Sequence, residues 1–207
     1  MSEDHPVLDT VSVTNLAAVA MGMTSNAYHV AGEIPTLIDV GAGFDIVKHI
    51  EDNRQLAPPQ QVVLTHTHPD HVGNVDAVKE AYGIDIRGFD ASSRYVDTPL
   101  ADGDHLTIGD HTYEAWYTPG HARDHLSLYG DEPRILFSGD LIFPQGGVGR
   151  TDLPGCDHDA LIESITRVLQ RVDDDLRAMY AGHGPAVKER PFNHVLAAAR
   201  TVGIDLH

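Results

Sequence analysis

The sequence predicts a layered α/β fold with one polar site along a sheet edge. Three observations carry that expectation. Short β-type runs alternate with helical segments along the chain. The clearest helical segment, residues 159–172, sets Leu161, Ile162, Ile165, Val168, Leu169 and Val172 on one stripe, as a helix lying on a sheet requires. Four β-type runs stop at a residue with a metal-ligating side chain followed by a turn, namely His66, His121, Asp140 and His183. Loops that leave one edge of a sheet converge on a common cleft, so the shared habit points to a single site.

Taken in order, residues 7–13 read as an opening strand through the partial alternation of Val7, Val11 and Val13. Two more strands, 26–30 and 36–40, flank a turn at Gly32-Glu33-Ile34-Pro35. Asp39-Val40-Gly41-Ala42-Gly43 breaks the second of these and leads into a helix over 45–53. Its Gly-x-Gly lacks the third glycine and the Lys-Ser/Thr of phosphate loops, so it is not assigned to a nucleotide. A buried strand at 62–64 runs into a histidine-rich stretch. A helix over 71–81 follows, with Val72, Val75, Val78 and Ala81 at three-residue steps and Gly83 closing it. Residues 84–88 give a strand and 92–96 a short polar helix. A hairpin pairs 106–108 with 112–118 through Gly109-Asp110, and strands at 126–129 and 134–138 come next. The glycine-bearing loop 144–157 is long enough to be functional. A strand at 176–181 and a helix at 192–202 complete what reads as a single domain over 1–207.

Composition narrows the function. The 207 residues, 42% apolar, suffice for one sizeable core. Asp and Glu number 31 against 14 Lys and Arg, a net charge of −17, and Lys48, Lys79 and Lys188 are the only lysines. Such a surface repels itself in dilute buffer and is tolerated where salt screens it, so a halophilic host is expected. Phosphate binding relies on Lys/Arg clusters and none is visible, which disfavours nucleic acid as a partner. No apolar run approaches a membrane span. Met1 to Pro6 lacks the basic start and apolar core of a signal peptide, and a cytoplasmic location is expected. The single cysteine, Cys156, excludes an intrachain disulfide and reads as an ordinary loop residue.

The chemistry concentrates in Thr65-His66-Thr67-His68-Pro69-Asp70-His71. Imidazole nitrogen and carboxylate oxygen are the ligands of Zn, Fe(II) and Mn sites. Crowding them is costly without a cation to share, so this stretch is expected to bind metal. Asp70 also stands where the next helix starts, an ordinary capping position.

His66-Thr-His68-Pro-Asp70-His71, with Pro119-Gly-His121, Ser138-Gly-Asp140 and Gly182-His183-Gly184, resembles the metallo-β-lactamase superfamily. The resemblance implies an αββα sandwich, two mixed sheets flanked by helices, with the site at one edge. It assigns one metal to His66, His68 and His121, a second to Asp70, His71 and His183, and a bridging role to Asp140. Two divalent ions are then expected, zinc first with iron or manganese as alternatives, activating a bridging hydroxide that Asp70 orients. His125, four residues after His121, is expected to contact substrate or to orient a ligand.

Residues 138–155, Ser-Gly-Asp-Leu-Ile-Phe-Pro-Gln-Gly-Gly-Val-Gly-Arg-Thr-Asp-Leu-Pro-Gly, resemble the glyoxalase II-like branch. That implies hydrolysis of a thioester or related small ester, with Arg150 as a candidate for a substrate carboxylate or as a tie within its loop. The chain ends soon after Ala197–Arg200, so the helical glutathione-binding domain of true glyoxalase II is not expected. The runner-up is a persulfide dioxygenase-like oxidoreductase that holds a single iron on His66, His121 and Asp140. Nuclease, β-lactamase and non-catalytic metal-binding readings rank below both.

Overall fold

Period-two alternation lets each central strand feed two cores at once. The computed structural model describes residues 11–20 and 22–206. One six-stranded sheet takes β1 (Val13–Asn15), β2 (Tyr28–Val30), β3 (Thr36–Ile38), β4 (Gln61–Val63), β5 (Ile86–Gly88) and β6 (Thr98–Pro99) in that order. Its first three strands are antiparallel neighbours, and β3 through β6 are parallel. A five-stranded sheet is ordered β11 (Ala178–Ala181), β10 (Ile135–Gly139), β9 (Leu126–Gly130), β8 (His111–Tyr117), β7 (His105–Ile108). It is antiparallel apart from the parallel β10–β11 pair.

Between the sheets, Tyr28, Val30, Ile38 and Val63 meet Tyr113, Leu128, Phe137 and Tyr180. The adjacent residues point the other way. Leu37, Val62 and Ile86 pack under Ile46 and Ile50 of α1 (Ile46–Asp52) and Val75 and Val78 of α3 (Val75–Tyr82). Trp116, Leu136 and Met179 pack under Leu161, Ile165 and Val168 of α4 (His158–Arg171) and Val195 and Ala198 of α5 (Pro191–Thr201). The result is the expected αββα sandwich, and the stripe read in 159–172 is the face of α4 that covers the second sheet.

Three local expectations change. The helix over 71–81 is two helices, α2 (Pro69–Val72) and α3, broken at Gly73-Asn74. The break lets the chain approach the 41–42 turn: a Cβ on Gly73 would lie 2.5 Å from Ala42 Cβ. Asn74 Nδ2 then donates to Val40 O at 2.9 Å. The 92–96 segment forms turns, because Asp90 Oδ1 accepts from both the backbone and the hydroxyl of Ser92 and offers the chain an alternative to helix. Thr98–Pro99 instead adds a short edge strand, a position where a proline costs no ladder bond. Of the strand expected at 7–13, residues 7–10 lie outside the described residues, and β1 begins at Val13. Among the described residues no helix is long and apolar enough to cross a membrane.

Candidate metal centre

The candidate ligands are delivered from the ends of four strands. His66 follows β4, and Pro69 at the first turn of α2 sets Asp70 and His71 one step beyond His68. His121 follows β8, Asp140 follows β10 and His183 follows β11. Backbone hydrogen bonds lock the two sheet ends together, from Leu126 N to Thr65 O at 2.7 Å and from Asn26 N to Gly182 O at 2.7 Å. All seven predicted metal ligands are thereby brought to one place, in the groups His66–His68–His121, His66–His71–Asp140 and Asp70–His71–His183.

The hydrogen bonds on the outer side of each ring assign the tautomers. Thr65 Oγ1 donates to Asp39 Oδ2 at 2.7 Å and so accepts from His66 Nδ1 at 3.1 Å. His121 Nδ1 donates to Arg150 O at 2.9 Å. Both rings therefore turn a lone pair at Nε2 toward His68 Nδ1, at 3.1 and 3.0 Å. One nitrogen cannot donate to both, so the trio lacks a positive centre.

The second group repeats the pattern. His71 Nδ1 donates to Asp39 Oδ2 at 2.8 Å, leaving Nε2 facing Asp140 Oδ1 at 3.4 Å and Asp70 Oδ2 at 3.9 Å. Among the described residues neither His71 Nε2 nor Asp140 Oδ1 has a hydrogen-bond partner, although both are buried. His183 Nε2 lies 3.2 Å from Asp70 Oδ2 and 3.4 Å from Asp140 Oδ2, while His121 Nε2 is 3.5 Å from that same Asp140 oxygen. Asp140 thus stands between both groups. The electrostatics say the same. Burial opposes charge on His71, yet the Asp39 and Asp140 carboxylates push its pKa up to about 10. Hydrogen bonds to Asp140 and Asp70 raise His183 to about 9. Burial opposes ionisation of Asp140, but contacts with His183 and His71 hold its carboxyl far below the usual range. A buried imidazole nitrogen and carboxylate oxygen without partners, in a cluster that holds protons on its histidines to offset its carboxylates, form a donor set that a divalent cation fits.

Two supports went unread in the sequence. Asp39, buried directly after β3, orients His71 and also accepts the Thr65 backbone N–H at 2.7 Å. It is a further strand end with a carboxylate, so the habit that located the others extends to it. Asn26 Nδ2 donates to Ala181 O at 2.8 Å and Gly184 O at 2.9 Å, holding the chain on both sides of His183.

The His125 ring is fully buried and does not line the cleft, so its position suits the orienting role rather than substrate contact. Its Nε2 accepts from the Asp140 backbone N–H at 2.9 Å and Nδ1 is 2.9 Å from Thr118 Oγ1. It fixes the backbone that carries Asp140. Burial lowers its pKa to about 3, so it stays neutral. Arg150 lines the cleft, but its guanidinium grips Asp152 through two 2.7 Å bonds. Cys156 Sγ donates to His121 O at 2.9 Å, a loop contact.

The centre opens into a cleft of about 920 Å³ bounded by residues of the 22–24 segment, Ala42, Phe143, Val148, Arg150 and Leu153. A family model described as the metallo-beta-lactamase superfamily matches residues 21–183. The chain belongs to the metallo-β-lactamase superfamily. The Bacillus subtilis probable metallo-hydrolase YqgX is a superfamily relative at 30% identity over 184 residues, spanning 78% of this chain and 85% of its own. The Haemophilus influenzae hydroxyacylglutathione hydrolase GloC is 32% identical over 145 residues, 59% of this chain and 68% of its own. The solved di-iron-bound form of TTHA1623 superposes with a TM-score of 0.70 at 31% identity, over 84% of this chain and 95% of that one. Superfamily membership and these relatives support a metal-dependent hydrolase.

Proposed function

We propose that the chain is a thioester hydrolase of the glyoxalase II-like branch, working with two divalent ions, zinc in the first instance. The single observation that carries the reading is the convergence of two buried, partnerless polar atoms, His71 Nε2 and Asp140 Oδ1, beside the His66–His68–His121 group. His66, His68 and His121 would hold one ion, Asp70, His71 and His183 the other, with Asp140 between. Bound there, such ions supply Lewis acidity and a water that ionises near neutral pH. The protein's own groups set the rest. Asp70 lines the cleft and offers a carboxylate oxygen to orient the attacking water. His125 and Asp39 keep Asp140 and His71 from shifting as charge develops. A thiol, with a pKa near ~8.5, leaves as thiolate without a proton donor, which suits a cleft that presents no free acid. Water and thioester thus yield carboxylate, thiol and one proton released to solvent. The likeness to GloC supports the thioester class, and a small-molecule substrate in the cytoplasm completes the reading.

Elemental analysis together with thiol release from S-acyl thioesters tests it. Two divalent ions per chain and metal-dependent thiol release are expected. A single iron, persulfide-dependent oxygen uptake and no thiol release would transfer the chain to the dioxygenase reading.

A further inference from the structure

We infer that the cleft selects substrates with an uncharged, apolar substituent beside the scissile bond and discriminates against anionic thiol carriers. The inference rests on the thioesterase reading and names its substrate class. Among the described residues two large hydrophobic side chains stand exposed, Met23 at 96% and Leu153 at 39%. Both line this one cleft. Both stand beside the metal-type ligands in that lining, so the exposed apolar side chains adjoin the candidate metal centre. Phe143 and Val148 line the same cleft, and the Phe143 ring lies 5.9 Å from that of His183.

The polar lining points the same way. Its ionisable members are the metal-type ligands and Arg150. Arg150 is already neutralised by its two bonds to Asp152. Away from the metal centre, no uncommitted cationic side chain lines the cleft among the described residues. A carrier with several carboxylates or phosphates would enter against the charge of the whole chain and find no free cationic side chain outside the metal centre. An alkyl or aryl group would instead be removed from water against Met23, Phe143, Val148 and Leu153.

The experiment uses metal-loaded protein with S-acyl N-acetylcysteamines from acetyl to decanoyl and the matching S-acyl glutathiones. Calorimetric titration with the non-hydrolysable S-alkyl thioethers of both thiols runs alongside. Specificity (kcat/KM) and thioether affinity are expected to rise about threefold per methylene until the cleft is filled. The neutral carrier is expected to exceed its glutathione counterpart by about tenfold or more. Met23→Ser and Leu153→Ser are expected to flatten the chain-length series through KM while the metal content holds. A flat series in the parent protein, or a preference for the glutathione conjugates, overturns the inference. Thioether binding without thiol release from any ester sinks the thioesterase reading and leaves the apolar selectivity standing. Thiol release without dependence on chain length does the reverse. Should light scattering show that Met23→Ser or Leu153→Ser converts a dimer to a monomer, the rim is a self-interface and the inference fails.

Discussion

Asp39 holds His71 from behind, accepting from Nδ1 at 2.8 Å while the opposite nitrogen faces Asp140 at 3.4 Å. An asparagine at 39 tolerates the left-handed backbone there, φ 55°, but removes the charge that anchors the ring. Asp39→Asn is expected to weaken binding of the His71-side metal by about 10- to 100-fold. Competition with a chelator measures it, and the His66–His68–His121 position should keep its ion. Unchanged affinity at both positions would remove Asp39 from the metal centre's support.

The metal-free protein should show a peaked pH–stability profile. His71 and His183 sit at about 10 and about 9, above the ~6.5 of a free imidazole. Their contribution is complete below ~6.5 and lost as pH rises through those values. His125 is displaced the other way, to about 3, and burial lowers His66 as well. The unfolded chain takes up protons that these rings refuse, so stability also falls as pH drops below ~6.5. Melting in chelator is expected to peak near pH ~6.5. Metal should flatten the alkaline limb, because ions replace the protons on His71 and His183.

His68 belongs to one ligand group alone, with His66 and His121. His68→Ala is expected to cost about one ion per chain and at least ~10²-fold in thiol release, since a lost Lewis acid removes several kcal/mol of stabilisation. Elemental analysis of the variant distinguishes this from a single-iron site on His66, His121 and Asp140, whose occupancy would change little.

Gly182 approaches the centre with no side chain to spare. A Cβ there would fall on the Asp140 carboxylate and lie 2.8 Å from the His71 ring. Gly182→Ala is expected to reduce metal affinity and activity together, with a stability loss of about 1–3 kcal/mol from overpacking. Thermal melting and metal titration on the same preparation separate the two effects.

The layers of the fold were legible because Leu161, Ile165 and Val168 recur at helical spacing and because short apolar runs such as β4 and β10 read as buried strands, whose two faces feed different cores in the structure. The metal ligands were legible from a shared habit, an imidazole or carboxylate at a strand end. Asp39 shares that habit but sits in a glycine-rich turn where an aspartate has an ordinary local explanation, and nothing in the sequence shows that His71 lies opposite it. The Gly73-Asn74 break depends on a long-range approach to Ala42, which periodicity within 71–81 cannot register. The acidic surface was legible as composition, and its salt dependence is open to test: melting temperature is expected to rise from dilute buffer to molar KCl, where the screening length shrinks to about 3 Å.

His121 Nδ1 donates to the backbone oxygen of Arg150, three residues before Leu153 on the wall of the cleft. One short stretch of chain thereby fixes the tautomer of a metal ligand and the position of an apolar wall. A substrate that presses on the wall is expected to act on the ligand, and by thermodynamic reciprocity an ion that tightens the ligand is expected to firm the wall. Ion occupancy and substrate fit are two handles on the same piece of backbone, so a metal exchange that alters the His121 geometry is expected to alter selectivity as well as rate.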